Sequence, residues 1–338
     1  MDLSIIVPCF NEEVIIAKTA EAIEAYMTQH CLNVTYELLL INDGSTDQTK
    51  KALDALKTSH IIPVHLPKNQ GRGAALRTGI ARSKGDLVIT LDADLSYDVN
   101  HIGDILKTFQ ENPQTDVVIV SPYLKSGVVK NVPCGRLLLS RFANFILRGF
   151  FPDKLSTITS VARGYRGTLV RRIFLVENGK EFHLEILRKV NLYGARIQEI
   201  PGRLIWDPER AKQKRYKAKN FLDSGKKHFL YGLMIGPTRF FKYVTVLLLG
   251  IGLYETVVVS WSIFENFNTT LHPFSKALWE AIHQALEHSP HSFFIQIGSL
   301  LLGINTFYFL ILLHISKMHH EESMRNMLAL LEDKIPKG

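Results

Sequence analysis

The chain has 338 residues, enough for about two domains that each bury a core of their own. Hydrophobic residues make up 46% of it and the mean hydropathy is slightly positive, +0.05, which is apolar for a soluble protein yet too polar for a pure transporter; a soluble head on a few membrane spans fits best. The formal net charge of +8 is concentrated: between Arg203 and Lys242 eleven Lys/Arg face three Asp/Glu.

In chain order, Met1-Asp2 leads directly into an apolar run, so no signal peptide is expected and the head is expected to stay in the cytoplasm. Short β-rich runs fall at residues 3–7, 36–41, 61–66, 87–91 and 117–120. Helical periodicity fills the gaps at 12–29, 47–59, 73–83 and 100–111. This alternation predicts an α/β fold with a mostly parallel, Rossmann-like sheet, whose ligands bind beyond the carboxyl ends of the strands. Residues 135–151 read as an amphipathic helix, followed by a helix at 182–192 and a strand at 195–200. Cys9, Cys31 and Cys134 show no metal or CxxC spacing and read as reduced thiols of a cytosolic domain.

Beyond the basic segment the composition changes. Residues 243–264 are one bilayer thickness of apolar sequence interrupted by Glu255, and 293–316 form a second, uncharged span. By the positive-inside rule the basic flank predicts that the head and both termini lie in the cytoplasm. The expected organisation is a head at 1–210, basic juxtamembrane helices at 211–242, a hairpin at 243–316 and an amphipathic cytoplasmic tail at 317–338. His272, His283, His288 and His291 fall in the external loop and read as solvated residues. Glu255 reads as a functional group, a partner for a second subunit's helix, or a protonated acid.

Four segments carry chemistry. Leu91-Asp92-Ala93-Asp94-Leu95 ends a β-run, and two carboxylates one residue apart on extended backbone point the same way and can share a hard divalent cation, Mg²⁺ or Mn²⁺. Asn42-Asp43-Gly44-Ser45-Thr46-Asp47 ends another, with Gly44 at a sharp turn and Ser45 or Thr46 as a cap for the next helix. Asp43 reads as an acceptor for a base or ribose. Val7-Pro8-Cys9-Phe10-Asn11-Glu12-Glu13 leaves the first strand. Lys68-Asn69-Gln70-Gly71-Arg72-Gly73 precedes a helix whose N-terminus suits an anion.

In order and spacing these segments resemble the family 2 glycosyltransferases of GT-A fold, and among them the dolichol-phosphate-mannose synthases and related polyprenyl-phosphate glycosyltransferases, over roughly residues 3–210. The resemblance implies that Pro8, Phe10, Glu12, Asp43, Gly44, Arg72, Asp92 and Ala93 line the nucleotide pocket and that Asp92 and Asp94 hold the metal. It implies an acceptor-phosphate site at Arg136 and Ser140. Lys125 would replace the arginine missing from Ser121-Pro122-Tyr123. Arg163-Gly164-Tyr165-Arg166 and Phe182-His183-Leu184-Glu185 match two further motifs. Arg210, with Lys212 or Lys214, matches the diphosphate clamp.

The implied reaction is an inverting sugar transfer from a nucleotide-diphosphate sugar, of GDP-mannose or UDP-glucose type, to a polyprenyl or dolichyl phosphate. Such a phosphate is largely ionised at neutral pH and needs little help from a base. Membrane lipids are expected partners, nucleic acid is not, and a homo-oligomer stays open. A rival reading keeps the class but changes the acceptor to a saccharide or another lipid, with Glu185 as its base. A second makes the chain a non-catalytic nucleotide-sugar-binding scaffold.

Overall fold

The computed structural model describes residues 1–56, 58–148, 155–206, 237–267 and 273–332. β1 (Leu3–Cys9) and β2 (Tyr36–Asn42) are buried at every position, the mark of strands covered on both faces. With β3 (Ile61–His65) and β4 (Leu87–Thr90) they form a parallel block. Between them lie α1 (Ile16–His30), α2 (Thr49–Asp54) and α3 (Arg72–Arg82). α1 buries Ile16, Ala20, Ile23 and Met27, the stripe that a 3.6-residue period places on one face.

Then follow α4 (His101–Glu111), β5 (Val117–Ser121), β6 (Val128–Lys130) and α5 (Cys134–Arg148). β7 (Arg163–Arg166), α6 (Gly167–Val170), α7 (Phe182–Leu192), β8 (Ile197–Pro201) and β9 (Arg203–Ile205) complete the first unit. The main sheet has seven strands in the order β3-β2-β1-β4-β7-β5-β8. It is mostly parallel, as its pattern predicts. The exception is β7, which lies antiparallel to both β4 and β5 and was not expected from its polar sequence. Two further strands, β6 and β9, pair in parallel, and Tyr97 bridges to Leu204 beside them.

Two helices start later than expected. Residues 13–15 are turn rather than helix, and α2 is short. Ser45 and Thr46 do not cap α2, whose first-turn neighbour Gln48 makes no side-chain cap. They bind the Asn11 loop instead: the Asn11 N–H donates to Ser45 Oγ at 2.9 Å, and the Thr46 N–H donates to Asn11 Oδ1 at 2.9 Å.

A second unit spans Gly236–Gly338. It contains α8 (Pro237–Asn266), α9 (Phe274–His288) and α10 (Pro290–Glu332). Residues Phe240–Asn266 and Pro290–Ser316 are each 27 residues long and apolar enough to cross a membrane. α8 and α10 run antiparallel, joined by Thr245 to Thr306 at 3.1 Å and by Gln296 to Thr256 at 2.9 Å. The tail expected as a separate helix is the continuation of α10, which runs unbroken through residue 317. The loop histidines are also placed differently: His283 and His288 lie on α9 and His291 in the first turn of α10, while His272 lies outside the described residues. The Glu255 Oε2 atom is buried with no hydrogen-bond partner among the described residues.

Candidate active site

The parallel register sets the ends of β1, β2, β3 and β4 along one edge, with Cys9 beside Asn42, Asn42 beside His65, and Ile6 beside Thr90. The four expected segments leave the sheet at that edge. The first two are laced together: besides the Asn11 contacts, the Glu12 N–H donates to Thr49 Oγ1 at 2.8 Å and the Gln48 N–H to Glu13 Oε2 at 2.7 Å. Pro8 is buried and Phe10 exposed above this lacing. Burial, then the Glu12, Asp47 and Asp43 carboxylates, push the Cys9 thiol up to about 12.

Asp43 is buried and its two carboxylate oxygens accept the Gln70 and Gly71 N–H groups, each at 2.8 Å. It therefore organises the loop before α3, and each oxygen keeps a second lone pair for a ligand. Gly44 has φ +64°, and a Cβ there would run into the Lys68 and Asn69 backbone, so the turn and the close approach both require glycine.

The loop at 68–73 is used otherwise than expected. The first amides of α3, those of Gly73 and Ala74, donate to the Asn178 carbonyl at 2.7 and 3.3 Å, so a strap of the chain's own backbone occupies the place read as an anion site. Gly71 and Gly73 are bare because the backbone of 177–179 passes directly over them. Arg72 reaches sideways, its Nη1 lying 3.3 Å from Asp92 Oδ1.

Asp92 and Asp94 do not share one extended run, because Ala93 and Asp94 lie in a turn. The Leu95 N–H donates to the Asp92 carbonyl at 3.1 Å, closing a turn in which Leu95 has φ +46°. Asp92 is half-buried and Asp94 exposed, with Asp94 Oδ1 accepting the Ser96 N–H at 3.0 Å. The turn is pinned from α1, where Thr19 Oγ1 donates to the carbonyl of buried Ala93 at 2.6 Å. An all-oxygen carboxylate donor set fits Mg²⁺ or Mn²⁺. No group of three His, Cys, Asp or Glu that could hold a metal occurs among the described residues, so such an ion would complete its shell from substrate oxygens and water.

Behind this turn lie Tyr97 and His101, which no motif announced, and Arg163, whose motif did not announce its burial. Tyr97 is buried and hydrogen-bonded to Ser160, and burial raises its hydroxyl's pKa, with Asp92 adding to the shift. Arg163, fully buried, donates from Nη1 to the His183 carbonyl at 3.3 Å and from Nη2 to the Ile158 carbonyl, while its Nε has no hydrogen-bond partner among the described residues. His101 Nε2 accepts the Arg203 N–H at 3.0 Å, which puts its proton on Nδ1, toward Asp104 at 2.9 Å. That contact seats β9, and the Ile205 N–H donates to the Ser96 carbonyl at 2.8 Å.

On the β5 side, Ser140 Oγ lies 2.8 Å from Tyr123 Oη, and Lys125 is exposed in the turn between β5 and β6. Arg136 is on α5, but its side chain lies outside the described residues, as does all of Arg210, Lys212 and Lys214. Arg166 points to the opposite edge, donating to the Thr115 and Pro113 carbonyls. Glu185 is not placed as a base: its carboxylate accepts the Val176 and Glu177 N–H groups at 2.8–3.1 Å and pairs with Lys189 Nζ at 2.6 Å.

A mostly parallel sheet broken by one antiparallel strand, with an acidic turn at the end of β4, defines a GT-A-type fold. Solved structures of glucosyl-3-phosphoglycerate synthase from Mycobacterium tuberculosis share it. One, in complex with phosphoglyceric acid, superposes with a TM-score of 0.52 at 17% identity over 70% of this chain and 80% of that one. Another, in complex with Mn²⁺, uridine diphosphate and phosphoglyceric acid, gives 0.51 at 17% over 69% and 77%. Residues 4–174 match glycosyl transferase family 2, and the chain belongs to that family. It is 26% identical over 205 residues to a dolichol-phosphate mannosyltransferase of Pyrococcus furiosus, covering 60% of this chain and 56% of that protein. It is 35% identical over 112 residues to an undecaprenyl-phosphate 4-deoxy-4-formamido-L-arabinose transferase of Proteus mirabilis, covering 32% and 34%. The chain thus spans little more than half the length of these curated relatives at most.

Proposed function

We propose that the protein transfers a sugar, with inversion, from a nucleotide-diphosphate sugar to a polyprenyl phosphate at a membrane surface. The observation that carries this reading is the pinned acidic turn at the end of β4, with the Arg72 cation against Asp92. The two relatives, each named as a transferase acting on a dolichol or undecaprenyl phosphate, support the acceptor class. So do the two apolar helices and the exposed Leu138 and Phe145 of α5, which suit a bilayer interface.

The nucleotide lies across the ends of β1 and β2, between Pro8, Phe10, Glu12, Asp43 and Gly44. Asp92 and Asp94 would hold Mg²⁺ or Mn²⁺, which when bound would supply charge neutralisation for a departing diphosphate. Arg72 shares that task from the α3 side, and Arg210 from beyond Trp206. Arg136, Ser140 and Lys125 orient the acceptor phosphate, whose ionised oxygen attacks without a protein base. The occupied carboxylate of Glu185 counts against a hydroxyl acceptor, which would need one. The catalytic unit and both termini are assigned to the cytoplasmic side.

The test incubates the purified protein with Mg²⁺, radiolabelled UDP-glucose or GDP-mannose, and undecaprenyl or dolichyl phosphate. Label passing into a lipid extract supports the reading. Label passing only into a saccharide or diacylglycerol, or donor binding without transfer, overturns it.

A further inference from the structure

Helix α3 begins beneath a strap of backbone at residues 176–179 that is clamped from two sides. From α7, buried Glu185 accepts the Val176 N–H on both oxygens, at 2.9 and 3.1 Å, and the Glu177 N–H at 2.8 Å. Its side chain is 4% exposed, and Lys189 balances its charge. From α3, Arg77 donates to the Val176 carbonyl at 2.6 Å and to Asn178 Oδ1 at 2.8 Å. So held, the Asn178 carbonyl receives the Gly73 and Ala74 amides.

Arg72 lies between two fixed neighbours. The Gly71 N–H is held by Asp43 at 2.8 Å and the Gly73 N–H by the strap at 2.7 Å. A side chain leaving a backbone pinned on both sides has few directions open to it, and this one meets Asp92 at 3.3 Å. We infer that Glu185 is a positioning residue for the donor site: through the strap it sets the first turn of α3 and so aims Arg72 at Asp92. Only the final link, from Arg72 and Asp92 to a diphosphate, rests on the proposed function. A carboxylate is required because it accepts from successive amides with both oxygens, whereas the amide of a glutamine would turn a donor toward one of them.

The experiment uses the full chain in detergent. Amide hydrogen exchange is read at residues 71–78 and 174–180, and affinity for UDP and for GDP is measured in Mg²⁺ by calorimetry. Glu185→Gln should speed exchange at Gly73 and Ala74 and weaken nucleotide binding by about tenfold. Arg72→Ala should weaken binding similarly, and the double variant should bind no worse than Arg72→Ala alone. Unchanged exchange at Gly73 and Ala74 in Glu185→Gln, or losses that multiply in the double variant, would overturn the inference. Gly73→Ala attacks the strap from the helix side, where its Cβ would meet the Glu177 and Gly179 carbonyls. It should loosen exchange at 176–178 and weaken binding comparably even if Glu185→Gln does not fold; unaltered affinity there would also overturn it. If neither nucleotide binds the unaltered protein, the proposed function fails, while the exchange data still decide whether Glu185 orders α3.

Discussion

The two units are built inside out with respect to one another. In the first, Leu3, Ile5, Leu38, Ile89 and Val118 are fully hidden in the sheet, and the polar side chains collect at strand ends, where they bond to loop backbone. In the second, the large apolar residues point outward: Tyr243, Leu253 and Phe294 are 65–76% exposed, while Thr245, Ser299 and the alanines 277, 281 and 285 are buried between helices. The sheet excludes water, so its hidden polar groups depend on partners within the protein. The hairpin's outer face suits hydrocarbon, where small residues let helices approach and a few hydroxyls join them.

The contrast can be broken selectively. The largest effect is expected on chemistry: Asp92→Asn or Asp94→Asn should lower transfer by about a thousandfold, several kcal/mol of lost charge stabilisation, with the melting of the head unchanged. Measuring label in lipid beside a thermal melt checks both halves. Next, Ile5→Ala opens a cavity in a fully buried strand and should cost the head about 2–5 kcal/mol, read by denaturant titration, while the hairpin stays helical.

Gly303→Leu should do the converse. A Cβ at Gly303 would meet the Leu249 side chain at 2.7 Å, so the α8–α10 contact should weaken by about 1–3 kcal/mol. Crosslinking of a Thr245→Cys, Thr306→Cys pair would fall while nucleotide affinity held. Thr245→Val, which removes only the hydroxyl link to Thr306, should weaken the α8–α10 contact by about 0.6 kcal/mol, read from crosslinking of a Thr256→Cys, Gln296→Cys pair. The smallest effect concerns Cys9. With its thiol pushed up to about 12 against an ordinary 9.0, alkylation at neutral pH should label Cys31 and Cys134 and spare Cys9. The sign follows from the raised value: this group's contribution to stability is complete below pH 9.0 and is lost as pH rises toward 12.

The parallel block was legible because its strands are unbroken apolar runs and its helices carry clean stripes. β7 was not, since Arg163-Gly164-Tyr165-Arg166 has no strand pattern and owes its place to partners tens of residues away on either side. β6 and β9, three residues each, are too short for alternation to show. At the candidate site, Asp92 and Asp94 were singled out by spacing and strand context, but spacing could not reveal the turn that carries them. The two glycines around Arg72 were visible as a demand for close approach. What approaches them was not, because the strap at 177–179 comes from a distant stretch of chain with no signature of its own. Glu185 was singled out by motif, but the amides its carboxylate faces were not, since a motif names a residue type and not its partners.

The placement of β7 also bears on synthesis. Its partner β4 ends at Thr90 and β7 begins at Arg163, so on the ribosome the first four strands can pair while β4 still offers a bare edge. At about 5–20 residues per second, that edge waits roughly 4–15 s for the strand that closes it. Unpaired edges recruit other chains, so nascent copies on one messenger are most open to mispairing in this interval, before either apolar helix has emerged. A chaperone that shields β4 during those seconds would raise the yield of this protein more than one acting after release.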